Sequence, residues 1–437
     1  MTRMKDSGIE WIGEIPEEWG ITKFKYFLDT NKGLTITKDN LIEDGIPVIN
    51  YGQIHSKYGK SVNTDRDELP QVSANYLKFK QSLLKPGDFV FADTSEDIDG
   101  SGNFSTRIDD NGELFAGYHT IKAKLKNALE HDFRYFMHYF DSMAFRKQVQ
   151  NKVSGIKVYS VTQSILQETC LLLPSFIEQQ RIADFLDKKV AQLDKVKSLL
   201  EEQIKTLEDY RQSLIYETVT KGLDKTVPLK DSGVDWIGQI PEGWGVKPIK
   251  YCSRFQRGFG FPVELQGNDD GEIPFYKVSD LRGNSDEISI SKNYVDLQTA
   301  KQNAWVIVPS GAIIAPVIGA ALLNNNRKIS TVPFISDNNT LAIIPNNKNK
   351  YFYYLFKVID MNWFNNSSTI PAVNISKLAN QIVPTPKEEE QKQIADFLEV
   401  QIIKIDKLIE IKQKQINNIN QQRQTLIYDV VTGKRRV

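Results

Sequence analysis

The chain has 437 residues, of which 40% are hydrophobic, 25% charged and 10% aromatic. These are the proportions of folded globular material and exclude a disordered, collagen-like or disulfide-scaffold protein. Its 55 Lys and Arg cancel 55 Asp and Glu, so a polyanion ligand would have to be met by charge segregated within the chain, not by its total. At roughly 100 to 200 residues per domain, the length calls for two to four folded units.

The N-terminal stretch carries acids and prolines where a secretory signal needs an apolar run. Residues 5–20, KDSGIEWIGEIPEEWG, return as residues 230–245, KDSGVDWIGQIPEGWG, identical at 12 of 16 positions. A repeat of this kind points to a duplicated architecture. After the first copy, short apolar runs bounded by Gly, Pro, Asn and Asp predict strands at 25–33, 45–54, 86–93 and 118–123, then one helix or two short ones over 132–150. The runs at 250–258, 272–281, 310–316 and 338–343, with a helical stretch at 349–364, repeat that order. Each body is therefore a mixed α/β globule of about 150 residues. Residues 304–323 carry no charge, yet Pro309, Ser310, Gly311 and Pro316 divide them into strand, turn and buried strand, not a membrane helix. Cys170 and Cys252 stand alone, without metal or redox spacing, as suits a reducing cytosol.

A second repeat pairs residues 182–217 with 394–429, identical at 14 of 36 positions. Leu186, Leu193, Leu200, Leu207 and Leu214 recur every seven residues, with Val196 and Tyr210 read as filling intermediate seam positions. The second copy sets Leu398, Ile405, Ile419 and Leu426 on the same register, with Ile402, Leu408 and Ile416 alongside and a departure at Lys412. Pro174 and Pro386 precede the two starts, Glu178 and Glu388 to Glu390 fill the first turns, and Gly222 and Gly433 follow the ends. Such a helix spans roughly 55 to 60 Å. It needs a partner for its seam, and the other copy is the nearest candidate. The expected architecture is two α/β bodies carried by an antiparallel coiled coil with internal pseudo-twofold symmetry, the bodies at opposite ends of a rod.

The constellations that catalysis needs are not found. Gly59, Lys60 and Ser61 imitate the end of a phosphate-binding loop, but Ile54 stands where its first glycine belongs. No glycine-rich dinucleotide turn occurs, nor the aromatic-flanked Asn-Pro-Pro of amino-methyltransferases. His55, His119, His131 and His138 lack a ligand-spaced carboxylate or thiol, and the acidic run 93–103 lacks the Ca²⁺-loop spacing. At aligned positions the halves carry His119 and Asn339, Asp93 and Pro316, Lys32 and Arg257. A repeated framework with unlike side chains is the pattern of a recognition protein whose modules read different things.

The entries DSGIEWIGEIPEEWG and DSGVDWIGQIPEGWG, the helix starts EQQRIADFLD and EQKQIADFLE, and the helix ends RQSLIYETVTKG and RQTLIYDVVTGK resemble the specificity subunit of Type I restriction-modification systems. The resemblance implies target recognition domains at residues 1–174 and 223–386, and helical regions at 175–222 and 387–437. It further implies that each domain binds one half of a split double-stranded DNA target while the paired helices set the spacing. Two methyltransferase subunits would dock on the helices and restriction subunits would join them. The chain itself would be non-catalytic and cytoplasmic in a bacterium or archaeon, with S-adenosylmethionine, ATP and Mg²⁺ belonging to the partners. A non-catalytic coiled-coil adaptor that does not read DNA is the alternative. Residues 246–383 carry 14 Lys and Arg against 10 Asp and Glu, whereas 21–174 balance at 19 each. Loops between the aligned strands nominate DNA contacts. In the first body these are Asn31, Lys32, Asn50, Tyr51, Gln53, Lys57, Lys60, Arg107 and His119. In the second they are Arg254, Gln256, Arg257, Lys277, Ser279, Arg282, Arg327, Lys328 and Asn339.

Overall fold

The computed structural model describes residues 3–283, 285–347, 349–366 and 370–437. It divides into two compact units, one of residues 1–201 with 414–437, the other of residues 202–413. Each unit is thus one α/β body with the start of the long helix that follows it and the end of the other long helix.

In the first unit a five-stranded sheet runs in the order Leu28–Lys32, Thr120–Leu125, Phe89–Ala92, Phe104–Arg107, Ser61–Val62. The second unit repeats it as Ser253–Arg257, Thr340–Pro345, Ile313–Pro316, Lys328–Ser330, Glu287–Ile288. In both, only the last pairing is parallel. The helical stretches come as Phe133–Asp141 with Met143–Gln150, and as Tyr351–Val358 with a 3-10 turn Met361–Phe364. Pairing of Thr120 with Ala92 and of Thr340 with Pro316 makes Pro316 the counterpart of Ala92. The partner position of Asp93 is therefore Val317, a one-residue correction to the alignment drawn from sequence. The uncharged stretch 304–323 holds the strand Ile313–Pro316 and a short helix, Ala320–Leu323.

The long helices, Phe176–Lys221 and Glu388–Val431, contain 46 and 44 residues. At 1.5 Å per residue that is about 65 to 70 Å, longer than the repeat alone indicated, because each helix begins just past its proline. Within each unit the two segments run antiparallel. Arg423 Nε lies 3.3 Å from Asp194 in the first, and its repeat, Arg211, bonds Asp406 at 2.6 Å in the second.

The seam differs from expectation in its alternate positions. Val196, Tyr210 and Leu408 are 46, 56 and 47% exposed. The column four residues after each leucine turns inward instead, as Val190, Lys197, Ile204 and Arg211, with Ile402, Ile409 and Ile416 in the second helix. A heptad leucine at one seam position has its companion four residues on, and at the other three residues on. The half-buried Lys197 and Arg211 in that column disguised which applied. Lys412 sits half-buried on the seam, where its ammonium donates to Gln203 at 2.6 Å.

Each body grips the helices by the same bonds. Trp19 donates to Glu178 and Trp244 to Glu390, both at 2.9 Å. Buried Tyr135 donates to the carbonyls of Leu172 and Val431, and buried Tyr351 to those of Pro384 and Val219. The helix-end tyrosines return the grip: Tyr428 donates to the Ile12 carbonyl and Tyr216 to that of Ile237.

One ion pair is inverted between the units. Lys60 gives its carbonyl to Thr106 N, as Asp286 does to Ile329 N, so the two positions correspond. Lys60 pairs with Asp141; Asp286 pairs with Lys357 at 2.5 Å, and Lys357 lies six residues after Tyr351 as Asp141 does after Tyr135. In the first unit Arg423 also reaches Asp141, at 3.3 Å. Burial disfavours the Asp141 charge, yet Lys60 and Arg423 hold its carboxyl below the usual range. Replacing Asp141 by Ala leaves two cations facing each other in a largely buried place, and should cost about 3 kcal/mol, read as a lower unfolding midpoint in urea.

A second contact is pH-sensitive. His138 Nε2 donates to Asp187 at 2.7 Å, beside Lys60 and Asp141. Burial depresses the His138 pKa, against the pull of Asp187, so the unfolded chain takes up a proton that the folded one resists. The contribution is complete above about pH 6.5 and falls away as the pH drops below it. Chemical denaturation across that range should show the loss, and His138→Phe should flatten it.

Candidate nucleic-acid interface

The loops of interest leave one end of each five-stranded sheet. There the first strand ends at Lys32 or Arg257 and passes at once through a glycine. A Cβ on Gly33 would lie 2.0 Å from the Gly117 carbonyl oxygen, and one on Gly258 1.8 Å from that of Asp337, so both places exclude a side chain. The facing turn is tied identically: the Thr120 hydroxyl donates to Gly117 O at 2.7 Å and that of Thr340 to Asp337 O at 2.8 Å. A third shared element is the helical turn opening at Asn50 or Lys277, whose N–H groups bond the Gln53 and Asp280 side chains.

On this common frame the first unit carries an aromatic group. The Tyr51 ring lies 5.3 Å from His119, 5.8 Å from Tyr118 and 6.3 Å from His55. His119 Nδ1 lies 3.1 Å from the Asp93 carboxylate. His55 accepts from Asn103 at Nδ1 and faces the Thr94 carbonyl at 2.8 Å through Nε2, which fixes its proton on Nε2. Tyr118, His55 and Asp93 were not among the nominated contacts. The available signal was Tyr51 and His55 four apart, on one face of a helical turn.

The second unit presents Arg254 and Arg257 on its edge strand, exposed, with Gln256 half-buried between them. Lys277 donates to Gln266 at 3.0 Å, and behind it Phe261 stacks on Phe275 at 3.9 Å, with Trp305 5.2 Å from Phe275. Burial pushes the Asp337 carboxyl up, with Lys277 opposing. Asn339, Ser279 and Arg282 are exposed.

The structure brings Asn31, Lys32, Tyr51 and His119 to the sheet end of the first unit, with Gln53 on the neighbouring turn. Lys57 lies beyond that turn, paired with Glu68 at 3.4 Å. Five nominated side chains are withdrawn. Asn50 is fully buried and accepts from Tyr118 N, so it positions the turn. Lys60 is held by Asp141, and burial lowers its pKa. Arg107, 2% exposed, donates to the carbonyls of Leu84, Asp109, Asn111 and Gly112. Arg327, also buried, donates to the Ile359 carbonyl at 2.8 Å and to Asn325, and burial pulls its pKa down to about 10. Lys328 is buried on its strand. A charge spent on its own backbone has little left for a phosphate, and sequence alone does not reveal which charges are so spent.

Among the described residues no group of His, Cys, Asp and Glu could hold a metal ion, and no helix is long and apolar enough to cross a membrane.

The chain matches the family described as Type I restriction modification DNA specificity domain over residues 16–208 and again over 241–421. It is 25% identical to a putative Type I restriction enzyme MjaX specificity subunit of Methanocaldococcus jannaschii, covering 98% of this chain and 96% of that protein. It is 27% identical to the EcoBI specificity subunit of Escherichia coli over 69% of this chain and 65% of that protein. A solved chain from a study of complex assembly and conformational transition of the type I R-M system shares the fold, with a TM-score of 0.68 at 14% identity, covering 95% of this chain and 98% of that one. With two matches that together span most of its length, laid on two copies of one framework, the chain belongs to the Type I restriction-modification DNA specificity family.

Proposed function

We propose that this chain directs a Type I restriction-modification complex to an asymmetric split DNA target. The bodies at 1–174 and 223–386 each read one half-site, and the helical regions at 175–222 and 387–437 set the spacer. The observation that carries this is the sheet end described above: glycine, threonine and helical turn repeat, while the exposed side chains do not. Asn31, Lys32, Tyr51, Gln53, Lys57 and His119 are the contacts proposed for the first half-site. Arg254, Gln256, Arg257, Lys277, Ser279, Arg282 and Asn339 are those for the second. Arg and Lys supply phosphate contacts and guanine edges; Asn and Gln suit adenine. The role is recognition, with S-adenosylmethionine, ATP and Mg²⁺ held by partner subunits in the cytoplasm.

The test is methylome sequencing of cells expressing a methyltransferase subunit with and without this chain. A bipartite motif of fixed spacer should gain methylation only when the chain is present. An active methyltransferase with an unchanged methylome would favour the adaptor reading.

The same helices offer a place for two methyltransferase subunits. Val196 and Leu199 in the first unit, and their repeats Leu408 and Ile411 in the second, are 44 to 48% exposed on the helix face away from the seam. Aspartate at Val196 and Leu199 should abolish co-purification of one methyltransferase and leave the circular dichroism unchanged, and the Leu408 and Ile411 pair should do the same for the other. Full co-purification from both variants would place the docking elsewhere.

A further inference from the structure

Among the described residues at the two sheet ends, His119 alone combines an unusual backbone with a fixed ring. Its φ is +54°, the left-handed region that non-glycine side chains seldom adopt and that is worth tracing to a function. Two bonds to one residue hold it there: Asp93 N donates to the His119 carbonyl at 3.0 Å, and the Asp93 carboxylate meets Nδ1 at 3.1 Å. Tyr51 packs against the ring, yet the side chain remains 57% exposed. At the matching place in the second unit Val317 N still donates to the Asn339 carbonyl, but Val317 has no carboxylate and Asn339 is not left-handed. The backbone bond is framework; the ring and its carboxylate belong to the first unit.

A carboxylate accepts only, so Nδ1 carries the proton, and on the neutral ring Nε2 keeps a bare lone pair. In the major groove adenine N6 and cytosine N4 are donors, whereas guanine and thymine present acceptors. Resting on the function proposed above, we infer that His119, set by Asp93, is a specificity-determining residue that accepts a hydrogen bond from an exocyclic amine of adenine or cytosine in the first half-site.

The experiment uses the chain assembled with its methyltransferase and a duplex carrying the motif found by methylome sequencing. Each adenine of the first half-site is replaced in turn by purine, and each cytosine by 2-pyrimidinone, which delete the amines. One replacement should weaken binding about 3- to 10-fold, the worth of one hydrogen bond. In His119→Gly, whose backbone accepts the left-handed conformation, that same replacement should have no further effect, while discrimination in the second half-site stays intact. Equal sensitivity of wild type and His119→Gly to every amine deletion would overturn the inference. So would a response confined to 7-deazaguanine, which would make the ring a donor. In either case wild-type sequence discrimination would still stand, so this outcome is separate from failure of the DNA-reading function.

Discussion

A buried tyrosine hydroxyl must find an acceptor or cost about 1 to 3 kcal/mol, and the two units are organised around that requirement. Tyr135 meets it with the carbonyls of Leu172, on the last strand of its own body, and of Val431, at the end of a helix and 296 residues later in the chain. Tyr351 meets it with Pro384 and Val219. The acceptors are distant in sequence, so neither body is complete until the end of the other long helix arrives. This is the physical reason each compact unit draws on two separate stretches of chain. The tryptophan entries, the helix-start glutamates and the helix-end tyrosines surround the same joint, and they are the segments that repeat most closely in sequence. Their repetition reflects one joint built twice.

Inside that shared joint the inverted pair shows what is free to vary. Lys60 with Asp141 and Asp286 with Lys357 occupy matching positions with opposite polarity. Each pair is neutral by itself, so the joint accepts either orientation as long as both partners come from one body. The helix does register the difference. Arg423 divides itself between Asp141 and Asp194, whereas Arg211, with Lys357 where an aspartate would have been, bonds only Asp406 among these groups and lines a cleft of 690 Å³ beside that lysine. At this position the first body is therefore bound to its helix by a charge contact that the second lacks.

The legible parts of the sequence were those fixed by repetition and period. The succession of strands and helices along the chain and the long helices follow from apolar spacing and from the two offsets, and the antiparallel pairing from the path of the chain between them. The missed parts depend on side-chain direction or on distant partners. Val196 and Tyr210 look like seam residues until the leucines are assigned to one heptad position, and the interior Arg211 hides the true column. Pro316 and Asp93 align by eye, but the ladder opposite Thr120 and Thr340 shifts the match by one. Arg107 and Arg327 read as basic loop residues, and only the fold shows their guanidiniums turned inward to backbone carbonyls. The same blindness hid Asp93, whose role exists only once Tyr51 and the turn at His119 are brought beside it.

The sheet end separates what must stay from what can change. Gly33 and Gly258 exist because the backbone of the facing turn fills the space a side chain would need, and Thr120 and Thr340 hold that turn by a side-chain bond that any neighbouring sequence can tolerate. None of these groups faces outward. The outward positions, Lys32 or Arg257 before the glycine and His119 or Asn339 before the threonine, carry no part of that load. A surface built this way can exchange a carboxylate-set imidazole for an amide without disturbing the turn beneath it. The cost appears locally, as the left-handed backbone of His119, where the Asp93 carboxylate adds a bond to the ring beside the backbone bond that both units share. Outward variation and stability are thus assigned to different atoms of the same four-residue turn.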